Sequence, residues 1–246
     1  MDIQEQMNQT VRDAQGALWI KNIEANHKYI AESVPMVKTA RVCIIVGAGP
    51  SLTDCMGYLR YARENLDVFI LCVDTAIRPM LKAGITPDAI ISIDSKKDIR
   101  HFIGKSKDLP LIAYTTSNPA VLEWHKGKKT FINHSICLEN KDPHLLIKGL
   151  PLLGSGCNVA TVALAYAAHI KYRKIVFVGV DLSADVGLSY AQGCLRENLP
   201  VEQLGVRELR IAKLWVEAFL RDNWKIKLTN ITRYGLRIEG ADNKLI

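Results

Sequence analysis

Long apolar runs are missing from this sequence. No stretch approaches the roughly 20 consecutive apolar residues a helix needs to cross a bilayer, and no charged-then-apolar leader opens the chain. A soluble protein is expected, with no membrane partner. The six cysteines (Cys43, Cys55, Cys72, Cys137, Cys157 and Cys194) stand far apart, with neither Cys-x-x-Cys nor a paired Cys/His spacing. That pattern argues against a zinc framework or a redox pair and for reduced thiols in a cytoplasmic protein. No basic run is interleaved with aromatics, so the net charge of +7 suits a small anionic ligand better than nucleic acid. Internal repeats and low-complexity segments are absent as well.

What is present is enough for one sizeable core: 246 residues, 48% of them hydrophobic. The rest of the chain is organised around Arg41-Val-Cys-Ile-Ile-Val-Gly47-Ala-Gly49-Pro50-Ser51-Leu52. Five apolar residues, mostly β-branched, run into a glycine turn and then into an amphipathic stretch, the pattern of a buried parallel strand handing over to a helix. Gly47 and Gly49 permit a tight turn, and Ser51 is a good N-cap. Free amide donors at a helix start make an anion site, most often for phosphate. The same residues also read as an ordinary β-to-α turn. Leu52 stands where a dinucleotide fingerprint has its third glycine, and no Gly-Lys-Ser/Thr completes a P-loop.

Along the chain, residues 1–33 read as a helix with an imperfect apolar stripe (Val11, Ala14, Leu18, Ile23, Ile30) ended by Pro35. Residues 1–38 are expected to form a helical appendage that packs on the core or on a second copy of the chain, and 39–246 the main domain. Strands are expected at 42–46, 67–73, 89–93, 111–114, 130–133, 174–180 and 225–228, and helices at 52–64, 75–82, 97–103, 120–125, 159–170 and 206–221. Residues 134–153 and 182–206 read as long loops, the lengths of lids or binding loops. The alternation predicts a doubly wound α/β domain with a mainly parallel sheet.

Three strands run into aspartates: Asp74, Asp94 and Asp181. At the carboxyl edge of a parallel sheet such groups face the ligand crevice, where they can hold Mg²⁺ between phosphates or act as general base; as short acidic residues they can equally cap the following helix. Asp94 is the candidate magnesium ligand. Gly154, Ser155, Gly156 and Asn158 open a second helix with the same small-residue logic as Gly47, Gly49, Pro50 and Ser51. His134, after a strand, can serve as general acid or base, or be structural. Arg207, Arg210 and Lys213 form a basic helical stripe, either solvated or closing over an anion.

Several spaced segments together resemble the motility accessory factor (Maf) and MptE-like proteins: Gly47-Ala-Gly-Pro-Ser-Leu52, the series from Asp74 to Asp94, Gly154-Ser-Gly-Cys-Asn-Val-Ala-Thr-Val-Ala-Leu-Ala165, Ile175-Val-Phe-Val-Gly-Val-Asp-Leu182 and Asn230-Ile-Thr-Arg-Tyr-Gly-Leu-Arg-Ile-Glu-Gly240. The resemblance spans roughly residues 40–240. It implies a Rossmann-like, sialyltransferase-like fold and a nucleotide at the glycine-rich helix starts. It also implies a transferase, with two chemistries in view. One moves a nonulosonic (sialic-like) acid from a CMP-activated donor to a protein such as flagellin or to a glycan. The other transfers diphosphate from ATP to 6-hydroxymethyl-dihydropterin or a similar small alcohol, with Mg²⁺. A non-catalytic nucleotide or nucleotide-sugar binding protein is the third reading. Cys157-Asn158 departs from the Gly-Gly/Ser-Ser-Val pattern expected of Maf-like chains.

Overall fold

The computed structural model describes residues 3–134, 146–183, 187, 189–200 and 205–246, and the backbone alone for residues 3–14. In chain order the helix α1 (Ile3–Ala31) is followed by β1 (Val42–Val46), α2 (Ser51–Asn65), β2 (Val68–Val73), α3 (Ile77–Lys82), β3 (Ala89–Ser92), β4 (Leu111–Tyr114), α4 (Pro119–Trp124) and β5 (Lys129–Ile132). The second half holds α5 (Val159–His169), β6 (Lys174–Val178), α6 (Val206–Asp222), β7 (Lys227–Thr232) and β8 (Asp242–Leu245).

The eight strands form one sheet in the order β5-β4-β3-β2-β1-β6-β7-β8, and every neighbouring pair is parallel. β1 lies between β2 and β6, with Val42 opposite both Val68 and Lys174. The chain builds outward from β1 to β5, then crosses back to lay β6 on the other side of β1. Right-handed crossovers in opposite directions put their helices on opposite faces, so the sheet is doubly wound. Both faces of the central strands are therefore covered, and Cys43, Ile44, Ile45 and Val46 have no exposed surface. Burying each such side chain stabilises the fold by about 1.5–3 kcal/mol.

The alanine content of α5 lets it lie close on the sheet, and its residues from Ala160 to Ala167 are all buried. Its N-cap is Asn158, whose Oδ1 accepts the amide of Ala160 at 2.8 Å. The end of α3 is closed by Gly84 at φ +76°, with the Ile85 amide donating to the Met80 carbonyl at 2.9 Å; only glycine takes that backbone without strain.

Four elements differ from the sequence expectation. The helix expected at 97–103 is only a 3₁₀ turn at Ile99–His101. α1 ends at Ala31, four residues before Pro35, and packs on the core against α4 and β5. Its stripe is imperfect because Asn22 and Asn26 lie on the buried face, donating to the carbonyls of Ser95, Thr115, Thr116 and Ser117 at 2.8–3.1 Å. The strand expected at 225–228 runs over Lys227–Thr232 instead, and β8, polar in sequence, adds an edge strand whose residues are mostly exposed. An edge strand with little to bury has no reason to carry the alternation that betrays a strand.

Candidate functional site

The connections leaving β1 and β6 run to opposite sides of the sheet, and the crevice at this reversal is lined by Gly47–Pro50, Val73, Thr75, Asn158–Ala160, Gly179–Ser183, Ser189, Tyr190 and Leu209, enclosing about 160 Å³. Gly47, Gly49, Pro50 and Asn158 thus share one cleft. Gly154, Ser155 and Gly156, in the loop before α5, are not among the lining residues; a Cβ on Gly154 or Gly156 would meet the Trp215 side chain.

The first glycine turn is filled by the protein itself. The amide of Gly47 donates to the Val178 carbonyl and that of Gly49 to the Gly179 carbonyl, both at 2.8 Å. A Cβ on Gly47 would strike the Gly179 carbonyl, and one on Gly49 the Asp181 carboxylate. These glycines let two backbones meet.

Ser51 is not the N-cap: Pro50 holds that position, and Ser51 is fully buried in the first turn of α2. Its amide donates to Asp181 Oδ2 at 2.9 Å, while Thr232 Oγ1 donates to Asp181 Oδ1 at 2.5 Å. The Ser51 hydroxyl lies 3.0 Å from Thr232 Oγ1 and accepts the amides of Arg233 (2.8 Å) and Tyr234 (3.0 Å). Since Thr232 gives its proton to Asp181, Ser51 gives its own to Thr232. Asp181, 4% exposed, is thereby the anion that sits on the positive end of α2.

The start of α5 is different. Its cap, Asn158, is neutral, the Gly156 amide donates to Thr161 Oγ1 at 2.9 Å, and the Val159 amide has no acceptor among the described residues. Cys157 holds φ +61° just ahead of it, an unusual backbone for a residue with a Cβ.

Asp74 lies beneath the cleft. Ser92 Oγ donates to its Oδ2 and Lys97 Nζ stands 2.7 Å from its Oδ1; Lys97 also reaches Thr75 Oγ1 at 2.9 Å. Burial alone would raise the Asp74 carboxyl, but the Lys97 ammonium and the hydrogen bonds from Lys97 and Ser92 hold it below the usual range. Asp94 is exposed, away from the cleft lining, and its Oδ1 accepts the amide of Lys96 at 2.8 Å in its own turn. His134 is also elsewhere, its ring 4.5 Å from Trp19 and 4.7 Å from Tyr114, where burial pushes it down to about 4. In the basic stripe, Lys213 pairs with Glu217 at 2.5 Å, and Arg207 and Arg210 are exposed.

Among the described residues no group of three or more His, Cys, Asp or Glu is arranged to hold a metal. Asp181 already accepts from Ser51 and Thr232 and Asp74 from Lys97 and Ser92, while Asp94, the expected magnesium ligand, stands outside the cleft lining. The described cysteines, Cys43, Cys55, Cys72, Cys157 and Cys194, are thiols, all of them buried except Cys157; Cys137 lies outside the described residues, as does much of each expected long loop. No described helix is long and apolar enough to cross a membrane.

Sequence reasoning found the glycine turns and Asp181 but not their partners. Thr232 and Gly179 are set against them by strands distant in sequence, and Tyr190 by a loop without periodicity. Gly179 in the Val-Gly-Val-Asp series and Thr232 in the Asn230–Gly240 segment were the signals available.

Fold and cleft define a doubly wound parallel α/β domain with a ligand crevice at its switch point. The sequence model of a family described as 6-hydroxymethylpterin diphosphokinase MptE-like matches residues 18–187, and the chain belongs to that MptE-like family. It is 23% identical over 220 residues to the 6-hydroxymethyl-7,8-dihydropterin pyrophosphokinase of Pyrococcus furiosus, covering 84% of this chain and 83% of the relative. Two uncharacterized proteins of Treponema pallidum are 35% identical over 82 residues and 26% identical over 202, and the matches span 38% and 34% of their lengths, about a third of each. The fold is similar to that of a Maf glycosyltransferase from Magnetospirillum magneticum AMB-1, with TM-score 0.58 and 17% identity, over 97% of this chain and 41% of that one.

Proposed function

We propose that the protein is a nucleotide-dependent transferase whose donor nucleotide lies in the cleft with a phosphate against the start of α5. One observation carries this reading: of the two helix starts at the switch point, α2 is already neutralised by Asp181, whereas α5 presents a neutral cap and the Val159 amide to the cleft. A phosphate gains from an uncompensated helix end and would be repelled by one that holds a carboxylate.

Between the two chemistries, glycosyl transfer fits the cleft better. The acceptor oxygen forms the new bond to the anomeric carbon as the bond from that carbon to the phosphate oxygen breaks. The nucleotide monophosphate keeps the electron pair, and the acceptor proton passes to solvent. Such a leaving group carries one phosphate, and stabilising it asks for amide donors rather than a carboxylate pair for metal. The similarity of fold to a Maf glycosyltransferase is consistent with it. Diphosphate transfer is the second reading, favoured by the family match and by the archaeal pyrophosphokinase of comparable length; there Mg²⁺ would enter with the triphosphate.

A thermal-shift panel of CMP, CDP, UDP, GDP and ATP, each with and without Mg²⁺, tests both. A ligand bound only to the native state adds about 2.7 kcal/mol at a hundredfold excess over its Kd. Stabilisation by CMP without metal is the expected result; stabilisation by ATP with Mg²⁺ alone puts diphosphate transfer first, and no response to any nucleotide removes the reading.

A further inference from the structure

Beside the cleft lies a second cavity of about 400 Å³, lined by Pro50, Thr53, Asp54, Tyr190, Gln192, Glu197, Asn198 and Tyr234. Pro50 and Tyr190 line both spaces, so a single wall divides them. A transferase brings two molecules into contact, and the cleft alone holds about 160 Å³.

The walls of this cavity are fixed to the same turn that shapes the cleft. On one side, Tyr234 is held by its amide on the Ser51 hydroxyl and by the Arg233 guanidinium, 5.4 Å from its ring centre. On the other, Ala191 donates to the Ala48 carbonyl at 2.9 Å, Gln192 donates to Thr53 Oγ1 at 3.0 Å, and the Glu197 carboxylate accepts the Gly193 amide. Both walls therefore hang from residues 48–53 and keep a set distance from the cleft.

The chemistry of the lining selects the occupant. Two tyrosines offer flat apolar faces with polar rims; Gln192 and Asn198 offer amides that both donate and accept; Asp54 and Glu197 offer carboxylate acceptors. Arg233 lies 3.3 Å from Asp54 Oδ1, so one of the two negative charges is already offset and the cavity is not built for a polycation. Hydroxyl groups, which donate and accept on the rim of an apolar ring face, match this mixture.

We infer that this second cavity is the acceptor subsite, binding a polyhydroxylated molecule, a sugar ring of a glycan, with a hydroxyl directed past Pro50 and Tyr190 toward the donor. The assignment rests on the transferase reading above. Saturation-transfer NMR on the full chain tests it, with methyl β-D-galactopyranoside and methyl α-D-mannopyranoside as probes and 6-hydroxymethylpterin and spermidine as competing classes. The same measurements are made on Tyr234→Ala and Asn198→Ala, and CMP stabilisation is followed separately in every sample.

The expected result is a glycoside signal whose affinity falls about fivefold or more in both variants, the loss of one aromatic contact in Tyr234→Ala and of one amide hydrogen bond in Asn198→Ala, while their response to CMP matches the parent. Absence of any glycoside signal, a signal untouched in both variants, or binding of the pterin or the amine in place of the glycosides, lost in the variants, overturns the inference. A parent chain that binds glycosides as expected but ignores every nucleotide defeats the transferase reading and leaves the sugar site standing; a CMP response without glycoside binding does the reverse.

Discussion

At the scale of the residue, the buried charges decide what can change without collapse. Asp74 is 2% exposed, and its charge is held by Lys97 and the Ser92 hydroxyl. Replacing Lys97 by methionine keeps the length of the side chain but leaves the carboxylate buried with no cation, which should cost about 3–5 kcal/mol in a urea unfolding experiment. Asp74→Asn added to Lys97→Met should restore part of that loss, because the unpaired charge is then gone; strictly additive effects would mean that the two groups do not act as a pair. Since the Asp74 carboxyl is lowered in the folded protein, its contribution is present above the usual carboxylate range and fades as the pH falls through its folded value.

Among the elements, α5 carries the clearest expectation. Asn158 caps it through Ala160, and removing the cap with Asn158→Ala should cost about 1 kcal/mol of stability. Asn158→Asp separates capping from anion binding. Aspartate caps as well as asparagine, so stability should stay within about 0.5 kcal/mol of the parent. It also places a negative charge on the helix start, as Asp181 already does for α2, and nucleotide affinity should fall sharply. Calorimetric titration with CMP beside thermal unfolding separates these effects; an Asn158→Asp variant that binds CMP as well as the parent would remove α5 as the phosphate site.

For the whole molecule, acid sensitivity follows from neutral histidines packed inside it. His125 is 1% exposed, both ring nitrogens lack partners among the described residues, and burial and then the nearby Lys129 push it down to about 4; burial and Lys97 hold His101 at about 4 as well. The unfolded chain takes up these protons near pH 6.5, so it binds more protons than the folded one between about pH 6.5 and 4, and stability falls across that window and levels off below it. At about 1.4 kcal/mol per histidine for each pH unit, the two together lose up to about 7 kcal/mol across the window. Urea midpoints measured from pH 7.5 to 4 should drop, and His125→Phe, which keeps a ring against Phe102 and Trp124, should flatten that drop. A profile as steep as the parent's would clear His125 of the effect.

The sequence by itself determined the strands that are buried on both faces and the helices between them. Val42–Val46, Val68–Val73 and, after its exposed Lys174, the strand Lys174–Val178 are apolar because helices cover both faces of the sheet, and that demand is visible in a window of about five residues. It also marked Gly47, Gly49 and Asp181, because tight turns and strand ends limit the residue types that fit. Only the tertiary structure decided what those residues do. Whether Ser51 offers its amide to a ligand or to Asp181 depends on β6 lying beside β1, and whether Ser51 caps its helix or holds Arg233 and Tyr234 depends on β7 lying beyond β6. Those partners stand 130 to 183 residues away along the chain, and a hydrogen bond between them leaves no periodicity for local sequence to reveal.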